Sequence, residues 1–326
     1  MRSSLALRTL AGALLLVAAP ALAQTPHIRV TLLGTGRPDP AVDRFGPATL
    51  VQAGGQTLLF DAGRGVTQRL WQSGIPLGTV RALFLTHLHS DHTVGIPDLW
   101  LTGWLPTPFG RRDQPLEVWG PEGTGAMMTH LREAYDWDVR VRRDGEHLPP
   151  AGIEVTAHDV EEGLVFDREG VRVTVFLVDH GGLLEPAFGY RVDYAGHSVV
   201  ISGDTRPSEN LIRHASGADV LVHEVAAVRP ELLAASASAP VAQRILGFHT
   251  SPEDAGRVFE RVAPKLAVLT HVVLLTTDPA FPPPTADQVL SRAQSTYGGP
   301  LMLGEDLMAI EIGDSVAVHR PTPNPR

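Results

Sequence analysis

The chain has 326 residues, no cysteine and a formal net charge of −9 at neutral pH. Lack of cysteine excludes disulfides and thiolate metal ligands. The acidic balance, with Lys265 the only lysine, argues against a long polyanion as the main partner, and the length suits one large domain or two small ones around a sizeable core.

The first 23 residues read as a secretory signal peptide. Arg2 and Arg8 give a positive start, Leu10 to Ala19 is a short apolar run, and Ala21-Leu22-Ala23 is a small-x-small cleavage site. Residues 24–326 would then form a single exported domain, periplasmic or secreted. No later stretch is apolar and long enough to span a membrane.

Along the domain, Ile28 to Leu33 reads as a strand ending at Gly34-Thr35-Gly36. Thr49 to Ala53 and Gln56 to Phe60 read as a hairpin around Gly54-Gly55. Val66 to Gln72 is helical. Val80 to Leu85 reads as a buried strand, and Thr93 to Trp104 as a helix start. Leu116 to Trp119 is a short strand, with a helix from about Glu122 to Tyr135. Arg140, Arg142 and Arg143, near Arg132, read as a solvated basic face.

Val171 to Val178 is β-branched and strand-like. Tyr190 to Tyr194 and Ser198 to Ile201 pair around Ala195-Gly196-His197. Asn210 to Ala215 is helical, Val220 to His223 a strand. Ser251-Pro252-Glu253-Asp254 starts a helix: Ser caps, Pro fits the first turn, and the acids favour the positive end. Strands follow at Leu266 to Leu269, Leu307 to Ile312 and Ser315 to His319. Two hairpin-rich halves with helices outside define an α/β (α+β) fold, an αββα sandwich of two facing mixed sheets.

The densest chemistry lies between the buried strand and the next helix: Thr86-His87-Leu88-His89-Ser90-Asp91-His92. His87 and His89 are two apart on an extended end, so their side chains point the same way. Asp91 and His92 follow a turn and reach a neighbouring point. Burying three imidazoles and a carboxylate together without a metal would be costly, and the split pattern fits two metals better than one. His180, Asp204 and His271 read as lying at strand ends, where they could complete a binuclear site.

The ordered set Leu33-Gly34-Thr35-Gly36, Phe60-Asp61-Ala62-Gly63, Thr86 to Asp98, Asp179-His180, Phe188-Gly189-Tyr190, Ser202 to Thr205, His223-Glu224, Phe248 to Ser251 and Leu269-Thr270-His271 resembles the metallo-β-lactamase superfamily. Within it, the set resembles the ribonuclease Z and arylsulfatase-like branch. The resemblance implies two Zn2+ ions, with manganese or iron left open. One would be held by His87, His89 and His180, the other by Asp91, His92 and His271, and Asp204 would bridge them. It implies Asp61 as the carboxylate bracing the ligand loop, and His249, oriented by Glu224, as proton donor to the leaving group. The family's His-Glu-Ala-Thr run here reads His223-Glu224-Val225-Ala226, and His223 itself reads as structural.

The function expected from this stage is an exported binuclear zinc hydrolase. It would attack a small anionic ester, a phosphodiester or aryl sulfate, with a metal-bound hydroxide. Trp100, Thr102-Gly103-Trp104, Phe109 and Trp119 could line an apolar wall for an aryl or base group, or simply be core and surface aromatics. The alternatives are a ribonuclease Z-like endonuclease, a lactonase or β-lactamase-type hydrolase, and a mono-iron sulfur dioxygenase. The export signal, the acidity, the single lysine and the lack of a basic Gly/Pro-rich arm argue against tRNA as substrate. A homodimer is left open.

Overall fold

The structure, a computed structural model, describes residues 27–182 and 184–321. The signal-peptide reading of residues 1–23 lies outside the described residues. Among those described, no helix is long and apolar enough to cross a membrane.

Fifteen strands are described: β1 Ile28–Gly34, β2 Ala48–Ala53, β3 Gln56–Phe60, β4 Ala82–Phe84, β5 Leu116–Gly120, β6 Val155–Asp159, β7 Gly163–Arg168, β8 Val171–Val178, β9 Ala187–Tyr194, β10 His197–Ile201, β11 Val220–Ala227, β12 Leu266–Leu274, β13 Leu301–Leu303, β14 Ala309–Ile312 and β15 Val316–His319. They form two mixed sheets, ordered β15-β14-β1-β2-β3-β4-β5-β6 and β13-β12-β11-β10-β9-β8-β7.

Side-chain alternation explains the layering. Leu58 and Phe60 of β3 and Ala82 and Phe84 of β4 enter a core shared with Val173, Phe188, Tyr190 and Val222 of the second sheet. The intervening Leu59 and Leu83 face the opposite way, onto the helices Val66–Gln72 and Ile96–Trp104. The second sheet repeats the pattern: Val200, Leu221 and Ala267 pack against Leu211 of Glu209–Ala215, Phe259 of Pro252–Val262 and Val289 of Ala286–Gln294. Each sheet is therefore apolar on both faces, which only a four-layer arrangement buries. This is the αββα sandwich expected from the sequence.

Two contacts lock the sheets together where the ligand run begins. The buried Tyr190 hydroxyl donates to the Leu85 carbonyl at 2.7 Å. The Phe188 amide donates to the Thr86 carbonyl at 2.8 Å. Gly203 packs against this seam in the left-handed region (φ 61°), where an added Cβ would lie 2.4 Å from the Phe188 carbonyl oxygen. No side chain fits there.

Several elements differ from expectation. β6, β7 and the helices Asp136–Arg140, Pro230–Ala235, Ala239–Leu246 and Ala286–Gln294 have no counterpart in the sequence reading. β11 and β12 run past their expected ends to Ala227 and Leu274. The aromatic wall is corrected in part. Trp100 and Trp104 lie in the core beneath the outer helices, donating to the carbonyls of Ile153 and Pro149. Trp119 stacks on Phe84 at 5.0 Å between the sheets. The basic face is neutralised: Arg132, Arg140, Arg142 and Arg143 pair with Glu154, Asp136, Asp138 and Asp144.

Candidate metal centre

The site gathers where strands of both sheets end. β3 and β4 run parallel in one sheet, and β8, β10, β11 and β12 run the same way in the other. Loops leaving the carboxyl ends of these strands converge, the usual location of a site in such sheets. Asp61 follows β3, His87 and His89 follow β4, and Asp91 and His92 sit on the one-turn helix Ser90–Thr93. His180 follows β8 and Asp204 follows β10.

His271 does not lie at a strand end as expected. β12 continues through it, and the register between β11 and β12 slips there: Glu224 pairs with Thr270 and Val225 with Val272. His271 is the extra residue of a β-bulge, at φ 40°. Such a bulge re-aims one side chain without ending the strand. Asp61 also has a positive φ, 59°. Strained backbone at both positions is held by the surrounding sheet, as is common at functional sites.

Four overlapping clusters could hold a metal ion: His87 with His89 and His180; Asp91 with His92 and His271; His87 with His92 and Asp204; and His180 with Asp204 and His249. The His87 Nε2 and His89 Nδ1 atoms approach to 3.0 Å. The Asp91 carboxylate lies 3.6 Å from His92 Nε2 and 3.5 Å from His271 Nε2. Asp204 touches both groups. Its Oδ2 is 3.0 Å from His271 Nε2, 3.8 Å from His180 Nε2 and 4.0 Å from His87 Nε2, and its Oδ1 is 3.5 Å from His92 Nε2.

The donor set fits metal ions on an independent observation. His92 Nε2, His180 Nε2 and Asp204 Oδ1 are buried without a hydrogen-bond partner. Orphaned buried polar atoms are costly, and both imidazole nitrogens lie within 4 Å of the Asp204 carboxylate. Electrostatics agree for three of the imidazoles; at His92 burial is outweighed by the Asp204 and Asp61 carboxylates, which hold the ring well above its ordinary value. Burial, reinforced by neighbouring histidines, holds the His87 imidazole well below its ordinary value. Burial also lowers His89 and His180. All three are therefore neutral near pH 7, the ligand form. Burial opposes ionisation of Asp204, but His271 and His92 outweigh it and keep the carboxyl well below the usual range.

Outer partners fix the rings. Asp61 Oδ2 lies 2.7 Å from His92 Nδ1, which turns Nε2 toward the centre. The same carboxylate accepts the Thr86 amide and hydroxyl, each at 2.8 Å. Thr86 Oγ1 sits 3.0 Å from His87 Nδ1, and the Phe248 carbonyl accepts from His180 Nδ1 at 2.8 Å. An Asp61→Ala variant is expected to weaken metal binding about 10–100-fold, measured by competition with a chelator. Unchanged affinity would show that Thr86 alone suffices.

His249 and Glu224 also meet. His249 Nδ1 is 3.2 Å from Glu224 Oε1 and 3.9 Å from Asp204 Oδ2. The buried Glu224 is fixed in turn by the amides of Thr205 at 3.2 Å and Thr250 at 3.0 Å. Burial of His249 disfavours its charge, but the Glu224 carboxylate prevails and pushes the imidazole up to about 9. His223 is fully buried with its ring edge-on to Phe259, apart from the cluster.

A cleft of about 300 Å³ opens beside the centre. Its lining includes His89, Asp91, Asp204, His249 and His271 together with Arg37, Asp39, Ile245, Val273 and Leu275. None of the aromatic residues expected there takes part. The sequence reading quoted Thr86 and Thr205 within motifs without giving either a role, and it did not single out Arg37 or the Ile245–Val273–Leu275 wall. The only signal for the wall is the two-residue spacing of His271, Val273 and Leu275, although the strand bulges at the first and ends before the last.

A four-layer sandwich with a His/Asp centre at its strand ends defines a metallohydrolase of the β-lactamase superfamily, and the model of the beta-lactamase superfamily domain matches residues 56–272. Ribonuclease Z of Mycobacterium marinum is 38% identical over 287 residues, covering 87% of this chain and 99% of that protein. The metallo-beta-lactamase fold protein YhfI of Bacillus subtilis superposes with a TM-score of 0.67 at 18% identity, covering 87% of this chain and 99% of that one. Human tRNase Z, short form, gives a TM-score of 0.61 at 24% identity, with 87% and 99% covered. The chain belongs to the ribonuclease Z family of the β-lactamase superfamily. It is a metal-dependent hydrolase acting on ester bonds. The sequence-based argument against tRNA is overturned by these relatives: acidity and a single lysine describe the whole surface and do not decide what one cleft accepts.

Proposed function

We propose that this protein is a ribonuclease Z-type endonuclease: a single-domain binuclear zinc phosphodiesterase that cleaves precursor tRNA. The observation that carries the reading is the convergence of two ligand groups on Asp204 beside a His249–Glu224 pair, in a chain so similar to ribonuclease Z over nearly its whole length.

His87, His89 and His180 would hold one zinc, Asp91, His92 and His271 the other, with Asp204 between them. When bound, such a pair supplies Lewis acidity that activates water and offsets phosphoryl charge. The chain's own residues do the rest. Asp61 and Thr86 keep the imidazoles of His92 and His87 in the ligating orientation. Asp204 balances positive charge in a buried space. Glu224 takes His249 Nδ1, so Nε2 is the atom that gives a proton to the departing 3′ oxygen.

The test is metal analysis followed by assay on bis(p-nitrophenyl) phosphate, an aryl sulfate, a cephalosporin and a precursor tRNA with a 3′ trailer. Two zinc ions per chain and cleavage of the two phosphodiesters are expected. Opening of the cephalosporin with both phosphodiesters left intact would overturn the reading.

A further inference from the structure

Arg37 is the only arginine or lysine among the described residues that line the cleft. It lies just past β1 in the loop opened by Gly34-Thr35-Gly36, and its side chain is mostly buried. Two anchors fix the guanidinium. Nε donates to Asp39 at 2.9 Å, with Nη2 on the same carboxylate. Nη1 donates to the carbonyl of Leu274. Three of its five N–H groups are thereby used. The other two, one on each terminal nitrogen, have no partner among these contacts and can donate to an anion.

The Leu274 anchor matters because of where it lies. His271 and Val273 lie on the same strand and Leu275 just beyond its end, and all three line the cleft with Ile245. One short stretch thus presents a metal-site histidine, then an apolar wall, and tethers the cationic fork. The cleft's volume is at the lower end for small-molecule sites, about 300–1,000 Å³. It accepts one nucleotide-sized group beside the centre.

We infer that the cleft reads the nucleotide next to the scissile phosphodiester: Arg37 binds that nucleotide's further phosphate, and the Ile245–Val273–Leu275 wall receives its base. The inference rests on the phosphodiesterase reading above and adds which flanking groups are recognised.

Three esters of p-nitrophenol test it with the zinc-loaded enzyme. Methyl p-nitrophenyl phosphate offers neither group, thymidine 5′-p-nitrophenyl phosphate offers the base, and its 3′-phosphorylated form offers both. Specificity, kcat/KM, should rise at each step, by about tenfold for the added phosphate and mainly through KM. In Arg37→Gln the ratio of the third ester to the second should fall to about one. In Leu275→Ala the ratio of the second to the first should fall. Arg132→Gln, paired with Glu154 on the surface, should keep both ratios. Each ratio is measured on one preparation, so a misfolded fraction cancels. Equal cleavage of all three esters by the parent enzyme, or an Arg37→Gln variant that keeps the parental ratio, would overturn the inference while leaving the phosphodiesterase reading intact. Failure to hydrolyse any of the three would remove both.

Discussion

Asp204→Ala is expected to reduce zinc from two ions per chain to one at most, and turnover by more than about 100-fold, the upper figure for losing a mere outer partner of a metal ligand. The reason is topological. Asp204 is the one carboxylate whose two oxygens face both ligand groups, Oδ2 toward His271, His180 and His87 and Oδ1 toward His92. Its removal leaves the His87, His89 and His180 group with no carboxylate of its own and the other group with Asp91 alone to balance a bound cation. A second readout separates this from simple misfolding. A metal that binds only the folded state stabilises it by about 4 kcal/mol when present at 1,000 times its dissociation constant. At roughly 2–4 °C per kcal/mol for a domain of this size, a chelator should lower the Tm of the parent protein by on the order of 10 °C. The variant's Tm should respond clearly less, and hardly at all if no ion remains. A variant that keeps two ions per chain and a full chelator response would show that Asp204 does not join the half-sites.

The residues that converge on the centre were legible in the sequence mainly through one short run of chemically unusual composition. Three imidazoles and a carboxylate in His87–His92 have few uses other than a metal, and strand periodicity located the loops that carry His180 and Asp204. What stayed hidden depended on pairing between distant segments. Nothing local marks His271 as a bulge, since the slip exists only in the register of β12 against β11. The inward turn of Trp100 and Trp104 is decided by which helix face meets the sheet, so aromatic composition alone left cleft and core equally open. The Ile245 wall depends on the paired helices Pro230–Ala235 and Ala239–Leu246, whose small separate core of Val228, Leu232 and Ala242 is too short to show a clear period. Substrate class was misjudged for a related reason: net charge averages over the surface, whereas recognition is local.

His249→Ala is expected to keep both metals and the fold while losing about 10²–10⁴ in kcat, the usual contribution of a positioned proton donor. His249 stands outside the two ligand groups proposed here, and its nearest ionised partner is Glu224 at 3.2 Å. pH dependence makes the assignment sharper. A proton donor must be charged to act, so activity should fall as pH rises through the imidazole's pKa, placed at about 9 by Glu224 against the opposing effect of burial. The metal ions proposed beside it would add positive charge and bring the alkaline limb below that value. Glu224→Gln removes the charge that raises the pKa, so the limb must move to lower pH, toward the ordinary histidine value of about 6.5. Stability follows the same sign. The contribution of the charged pair is complete below about 6.5 and is lost as pH rises through about 9. Profiles of kcat against pH for the parent enzyme and Glu224→Gln, taken at saturating zinc, check this directly. A limb that stays fixed, or shifts upward, would mean that another group supplies the proton and that Glu224 serves only to hold the backbone amides of Thr205 and Thr250.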